Sequence, residues 1–242
     1  MTEDIQTPAA TLRLGDEAPD FEARSTHGPL KLSDYRGRWL IFFSHPADFT
    51  PVCTTEFAAL ARQKDKFEEL DCALVGLSVD SLHSHLAWVR AIETKFEVEI
   101  PFPIIEDPSM AVGRAFGMID ENSADSAAMR TSYFIDPKGV IRATTCYPHD
   151  VGRSVDEMIR MLAALQMTDN GNVLTPEGWH PGDDVLAVPP LHQARPHHRA
   201  LERAGRGKRL LGRPKGPHVE ARVVLRVDLL GGGVDEVDRL TR

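Results

Sequence analysis

Cysteine is scarce in this chain: there are three in 242 residues, and they stand far apart as Cys53, Cys72 and Cys146. An odd number at wide spacing excludes the disulfide framework of a small secreted scaffold. No Cys-x-x-Cys pair is present, which disfavours a thioredoxin-type disulfide reductase, because that chemistry needs a second thiol to release its mixed disulfide. Long hydrophobic runs are missing too. No apolar stretch approaches the roughly 20 residues that cross a bilayer, and acidic Glu3 and Asp4 stand where a leader peptide would be basic and then apolar. Excess positive charge is also absent: the net charge is −8, which disfavours nucleic acid as a main partner. The histidine pairs His83/His85 and His197/His198 have no cysteine or carboxylate at metal-ligand spacing; a surface helix and an unstructured tail account for them. What remains is an ordinary globular composition, 42% hydrophobic and 26% charged, in a chain long enough for one full core plus an appendage. The expected compartment is the reducing cytoplasm, with no membrane or nucleic-acid partner, no metal and no cofactor.

Hydrophobic patterning predicts alternating strands and helices. Phe21–Ser25 and Leu30–Leu32 read as a hairpin around His27-Gly28-Pro29. Trp39–Ser44 and Ala73–Val79 are short apolar runs of the kind that form buried strands. A helical period runs from Glu56 to Leu70, and further helices are predicted over about Leu82–Lys95, Ser109–Phe116 and Ser154–Gln166, with Ile104-Ile105 a short strand. Arg130–Ile135 and Val140–Cys146 flank the turn sequence Asp136-Pro137-Lys138-Gly139 and predict an antiparallel hairpin. The fold class is α/β with a mixed central sheet flanked by helices.

The densest chemical signal is His45-Pro46-Ala47-Asp48-Phe49-Thr50-Pro51-Val52-Cys53-Thr54-Thr55-Glu56. Thr50 is a natural N-cap and Pro51 a natural first helical residue, which puts Cys53 in the first turn of a helix. Unpaired backbone N–H groups and the positive end of the helix dipole there favour an ionised sulfur. Thr50 carries a hydroxyl one turn before Cys53, placed to bond the sulfur and orient a substrate oxygen. Pro46 has no N–H of its own, shapes the loop and shields the sulfur from water. Cys72 opens one buried strand and Cys146 ends another, and both read as small apolar packing residues.

These residues carry a resemblance. Pro46-x-x-x-Thr50-x-x-Cys53 is similar to the peroxidatic-cysteine motif of the peroxiredoxins, and the string from Ser44 to Glu56 resembles their one-Cys class. Further matches follow in order: Leu14-Gly15-Asp16-x-Ala18-Pro19-Asp20-Phe21, Gly76-Leu77-Ser78-Val79-Asp80 and Arg130-x-Ser132-Tyr133-Phe134-Ile135-Asp136-Pro137-x-Gly139. Tyr147-Pro148-x-x-x-Gly152-Arg153-Ser154 and Gly178-Trp179-x-Pro181-Gly182-Asp183 complete the series. The resemblance spans roughly residues 12–190. It implies a thioredoxin-like peroxidase domain over 12–167 and a small C-terminal extension over 168–190 that packs on a partner subunit. It further implies a thiol-dependent peroxidase in which Cys53 attacks hydrogen peroxide or an organic hydroperoxide and becomes a sulfenic acid. Residues 147–242 lack a resolving cysteine, so recycling falls to an external thiol or other electron donor. Carried over residue by residue, Arg130 returns to Cys53 and contacts substrate, Glu56 orients Arg130, Arg153 adds a second guanidinium, and His45 lies beside the pocket and tunes access. A homodimer or a ring of dimers is the expected assembly.

The chain departs from the family pattern in two places. Some animal members of the class carry a lipase-like Gly-x-Ser-x-Gly segment. Here Arg36-Gly37-Arg38-Trp39-Leu40 has Arg38 in place of the serine, so no serine-lipase activity is expected. Residues 191–242 form a basic tail, with clusters such as Arg206-Gly207-Lys208-Arg209, where the family has an acidic, aromatic-containing one. The tail reads as disordered or out-of-frame sequence, with a partner-binding arm as the alternative. The rival function from a different class is a peroxide sensor or holdase chaperone using the same thiol.

Overall fold

The computed structural model describes residues 12–119, 126–169, 171–188, 223–227 and 234–236. The chain divides into two compact units, one up to Ile159 and one from Arg160 onward.

In the first unit the order is β1 (Glu22–Ser25), β2 (Gly28–Lys31), a single 3-10 turn at Leu32–Tyr35, β3 (Trp39–Ser44), α1 (Pro51–Arg62), α2 (Lys64–Glu69) and β4 (Cys72–Ser78). Then come α3 (Leu82–Phe96), β5 (Ile104–Glu106), α4 (Ala111–Ala115), β6 (Arg130–Ile135), β7 (Ile141–Tyr147) and the start of α5 (Val155–Thr168). Seven strands form one sheet in the order β2-β1-β5-β4-β3-β6-β7. The central strands β3, β4 and β5 run parallel, and β6 pairs antiparallel to β3 through Ile41↔Phe134 and Phe43↔Ser132. This is the mixed sheet expected of a thioredoxin-like fold.

Alternation along β3 decides how the two faces of the sheet are used. Phe42 points to a face where it meets Phe116 at 4.8 Å between ring centroids and Phe21 at 5.3 Å. Phe43 points the other way, to Phe57 of α1 at 5.5 Å and Phe102 at 5.8 Å. Trp88 of α3 closes that second cluster at 4.6 Å from Phe57. All residues of β3 are buried, which explains why Trp39–Phe43 is continuously apolar rather than alternating. The predicted turn at residues 136–139 forms as expected. Asp136 Oδ1 accepts the N–H groups of Lys138 and Val140 at 2.9 and 3.0 Å. Gly139 sits there at φ +81°, where an added Cβ would collide with the Arg36 guanidinium.

Three predicted elements differ in extent. The helical period from Glu56 to Leu70 becomes two helices, because the Gln63 N–H closes on Leu60 in a 3-10 contact of 3.2 Å that ends α1. The hairpin β1–β2 turns tightly through Thr26-His27, with Ser25 opposite Gly28, instead of around His27-Gly28-Pro29. The helix expected from Ser109 starts later, because Met110 is left-handed at φ +61° and the Asp107 carboxylate instead accepts the Gly113 N–H at 2.7 Å.

The second unit holds the end of α5 with β8 (Val173–Leu174), β9 (Val185–Ala187), β10 (Val223–Val227) and β11 (Val234–Glu236) in one sheet of order β11-β10-β9-β8. Within it Arg160 donates to the Trp179 carbonyl at 3.0 Å, and the Trp179 indole donates to the Asp183 carbonyl at 3.1 Å. Residues 191–242 read from sequence as a disordered or out-of-frame tail, with a partner-binding arm as the alternative. The described parts of that tail are strands: β10 pairs parallel with β9 and antiparallel with β11. The run Val223-Val224-Leu225-Arg226-Val227 is β-branched and apolar enough to add to an open sheet edge. The remainder of that expectation lies outside the described residues.

Candidate active site

The site is assembled where β3 hands over to α1. Thr50 occupies the N-cap in extended conformation (φ −86°, ψ 148°) and Pro51 is the first helical residue, as the sequence predicts. The Thr50 hydroxyl does not cap the helix; it donates backward to the Ala47 carbonyl at 2.9 Å. Its hydrogen is thereby engaged, and its lone pairs remain to accept. Cys53 is the third residue of α1 and is wholly buried. Pro46 is buried in the same loop.

Two arginines and one glutamate form a buried cluster that reaches Cys53 through Arg130. Arg130, the first residue of β6, is 2% exposed, and its Nη1 lies 3.3 Å from Cys53 Sγ and 2.8 Å from Glu56 Oε2. Its Nε and Nη2 both donate to the His149 carbonyl, at 3.0 and 2.7 Å, so the guanidinium is held on both edges. Glu56 sits one helical turn after Cys53, on the same side of α1. Arg153 grips it with Nε on Oε1 and Nη2 on Oε2, both at 2.9 Å, and with its own backbone N–H on Oε1 at 2.7 Å. The remaining Arg153 nitrogen donates to the Thr131 carbonyl at 3.2 Å and to Ser132 Oγ at 3.1 Å, and the guanidinium lies 5.1 Å from the centroid of the Phe43 ring. Burial alone would raise the Glu56 carboxyl, but the Arg153 bonds and the charges of both arginines outweigh it and hold the group below its ordinary range. Two buried cations against one buried anion leave one positive charge over. The sulfur of Cys53 is the group beside it.

A second polar cluster anchors the loop. Asp48 is buried and receives His45 Nε2 at 3.0 Å and His85 Nδ1 at 2.8 Å, while its backbone N–H donates to Asp80 Oδ2 at 2.9 Å. His85 Nε2 lies 3.2 Å from the Ile105 carbonyl. Burial would raise the Asp48 carboxyl, but the bonds from the two imidazoles prevail and hold it far below the usual carboxylate value. Burial pushes the His45 imidazole down, more than its Asp48 bond lifts it. Candidate ligand atoms of His45, Asp48 and His85 fall within 4.8 Å of one another. The 2.8–3.1 Å contacts to Asp48, however, are hydrogen-bond separations, shorter than the roughly 3.3 Å between ligands of a tetrahedral zinc site.

The sequence-predicted residues Cys53, Glu56, Arg130 and Arg153 are thus brought together, with Thr50 and Pro46 in the adjoining loop. His45, expected beside the pocket, is withdrawn from solvent altogether: it is paired with Asp48, stacked on Trp88 at 5.1 Å and edge-on to Phe57 at 4.8 Å. Its Nδ1 is a buried atom without a hydrogen-bond partner among the described residues. Of the other thiols, Cys72 is buried, and desolvation drives its pKa up. Cys146 is exposed, not packed in the core as expected, because β7 is an edge strand. All three cysteines are free.

Comparison with known proteins fixes the family. Residues 14–144 match the model of the AhpC/TSA family, and residues 164–195 match that of the C-terminal domain of 1-Cys peroxiredoxin. This chain is a member of the peroxiredoxin family. It is 50% identical over 178 residues to peroxiredoxin 2 of Caldanaerobacter subterraneus subsp. tengcongensis, covering 74% of this chain and 80% of the relative. It is 49% identical over 170 residues to a peroxiredoxin of Aquifex aeolicus, covering 70% and 77%. Among solved structures, a yeast mitochondrial 1-Cys peroxiredoxin, studied for thiol resolution via glutathione/thioredoxin systems, superposes with a TM-score of 0.68 at 40% identity, covering 72% of this chain and 86% of that one. A cysteine-to-serine mutant of peroxiredoxin 6 from Arenicola marina gives a TM-score of 0.70 at 33% identity, covering 75% and 86%. As a peroxiredoxin the chain is a thiol-dependent peroxidase, an oxidoreductase.

Four parts of this peroxiredoxin's site go beyond what its sequence predicts: Asp48, His85 and two backbone carbonyls. Asp48 lies within the conspicuous loop string, but nothing in the spacing pairs it with His85, 37 residues away. His85 was assigned to a surface helix, yet with Trp88 and Ile92 it forms the buried face of α3. The apolar partners at i+3 and i+7 were the available signal. The His149 carbonyl and the Thr131 carbonyl are backbone atoms, and no residue type announces them.

Proposed function

We propose that this peroxidase reduces hydrogen peroxide and organic hydroperoxides to water and alcohols through a sulfenic acid on Cys53 that an external reductant recycles. The Cys53 thiolate attacks one peroxide oxygen, an S–O bond forms as the O–O bond breaks, and the departing hydroxide or alkoxide takes up a proton. Sulfur is oxidised by two electrons and the peroxide reduced by two. The observation that carries this reading is Arg130 Nη1 at 3.3 Å from Sγ, fixed by Glu56 and the His149 carbonyl. A guanidinium so placed stabilises both the attacking sulfur and the developing oxyanion, without reorganising during the step. Thr50, with its hydrogen already given to Ala47, accepts the peroxide O–H and turns the oxygen pair toward sulfur. Pro46 supplies an apolar wall without a competing donor.

Recycling requires two electrons from outside the chain: attack of a donor thiol on the sulfenic acid releases water and forms a mixed disulfide, which a second thiol resolves. The yeast relative, studied for resolution via glutathione/thioredoxin systems, makes those two donors the first to supply. The three free cysteines suit a reducing cytoplasm, and a homodimer or ring of dimers is the assembly that light scattering should find. Turnover tests the reading against a peroxide sensor. Consumption of many equivalents of hydrogen peroxide per chain with glutathione or thioredoxin supports the peroxidase cycle; arrest after one equivalent with every donor refutes it.

A further inference from the structure

The segment that carries Pro46 and Thr50 is short, and its path is not one its residues would choose by themselves. Phe49, between Asp48 and Thr50, adopts φ +57°, a left-handed conformation unfavourable for an aromatic residue, and leaves its side chain 59% exposed. Strain of that kind persists only where neighbouring contacts over-determine the backbone. Those contacts belong to Asp48, immediately before Phe49. Its N–H is held by Asp80, and its carboxylate by His45 and His85.

His45 and Asp48 belong to the loop itself, so their mutual bond fixes the loop's shape but not its place in the molecule. His85 comes from outside. It projects from the buried face of α3, whose start is secured by the Ser81 cap and by Glu106 accepting the Leu82 N–H at 2.8 Å. Its far nitrogen lies against the Ile105 carbonyl of β5 at 3.2 Å. One imidazole therefore spans from a strand of the central sheet to the carboxylate that precedes the strained turn.

We propose that His85 is a positioning residue for peroxide reduction: it holds Asp48, and through the left-handed Phe49 it sets where Thr50 stands relative to Cys53. The proposal rests on the peroxidase reading above but assigns His85 no contact with substrate. The consequence is a division between two reactions of the same sulfur. Peroxide reduction needs Thr50 in register to accept the peroxide O–H. Alkylation of the thiolate by a small electrophile needs only the sulfur and the charge of Arg130.

Asparagine and glutamine separate the two ends of the imidazole. An Asn amide nitrogen takes the place of Nδ1 and can still donate to Asp48; a Gln amide nitrogen takes the place of Nε2 and keeps only the link to Ile105. The experiment compares wild type, H85N, H85Q and Cys53→Ser, with fold checked by circular dichroism. Rate constants are measured for hydrogen peroxide by stopped flow and for iodoacetamide alkylation of Cys53 by peptide mass spectrometry. The expected result is a loss of about tenfold or more in peroxide rate for H85Q, equivalent to at least about 1.4 kcal/mol of transition-state stabilisation. H85N should stay within about threefold of wild type, and alkylation should change less than threefold in both. Equal peroxide rates for H85N and H85Q, or alkylation falling in parallel with peroxide reduction, overturns the proposal. Wild type that consumes peroxide while Cys53→Ser does not keeps the underlying reading intact, so either of those results removes the positioning role alone.

Discussion

Removing the Arg130 guanidinium while leaving the rest of the cluster intact is the perturbation whose size the structure best defines. Nη1 stands 3.3 Å from Sγ. At an effective dielectric near 20, a unit charge pair at that distance interacts by about 5 kcal/mol before screening. Water entering the vacated space recovers part of this, and a hydrogen bond to a charged group contributes a net of about 1.5–3 kcal/mol. A loss of about 2–4 kcal/mol in the transition state is therefore expected for Arg130→Met, which is about thirtyfold to a thousandfold in the second-order rate constant for hydrogen peroxide. The fold should survive, because Arg153 alone still makes three bonds to Glu56. Arg130→Lys should fall between: it keeps a point charge but cannot serve Cys53, Glu56 and His149 together. The assay is stopped-flow tryptophan fluorescence, for which Trp88 is well placed, its indole donating to Thr54, next to Cys53, at 3.2 Å. A folded Arg130→Met variant that loses less than threefold would refute the reasoning.

Other expectations follow from the same geometry. Glu56→Gln strands two buried guanidinium groups, and loss of one partner from such a cluster costs about 3–5 kcal/mol, to be read as a lower denaturant midpoint. Acidification should destabilise the fold in two stages. His45, Asp48 and Glu56 have pKa values held below the ordinary 6.5, 3.8 and 4.5, so the unfolded chain binds their protons more readily. Their contribution is complete above those values and is lost as pH falls, first below 6.5 and then in the carboxylate range. His45→Gln should remove the first stage, and a midpoint that rises between pH 7 and 5 would sink this. Because Cys53 is wholly buried, hydrogen peroxide should react faster than a bulky aryl hydroperoxide; the reverse order in competition assays would count against the narrow approach. Cys72→Ala and Cys146→Ser should each retain turnover, and a Cys53–Cys146 disulfide found by mass spectrometry after one equivalent of peroxide would contradict an external reductant.

Much of the site was legible because its chemistry is local. Thr50, Pro51 and Cys53 are placed by helix-start geometry, and β3 announces itself by the unbroken apolar run Trp39-Leu40-Ile41-Phe42-Phe43. Arg130 and Arg153 were legible only through family resemblance, since no spacing rule connects residues 74 and 97 positions from Glu56. Nothing in the sequence joins Asp48 to His85, because a buried carboxylate held by two imidazoles is a tertiary fact without a sequence period. The break at Gln63 is not legible in the sequence, since both halves of that segment share one helical period. Thr50 shows the same limit at atomic scale: its position was predictable, but the direction of its hydroxyl, toward Ala47, depends on the loop's path.

The measurement that bears most directly on the whole account is chemical trapping of the oxidised sulfur. Reduced protein is treated anaerobically with one equivalent of hydrogen peroxide in the presence of dimedone, and each cysteine peptide is examined by mass spectrometry. A dimedone adduct is expected on Cys53, none on Cys72 or Cys146, and no peroxide consumption by Cys53→Ser. Label on Cys146 with Cys53 unmodified, or undiminished peroxide loss in Cys53→Ser, would contradict this.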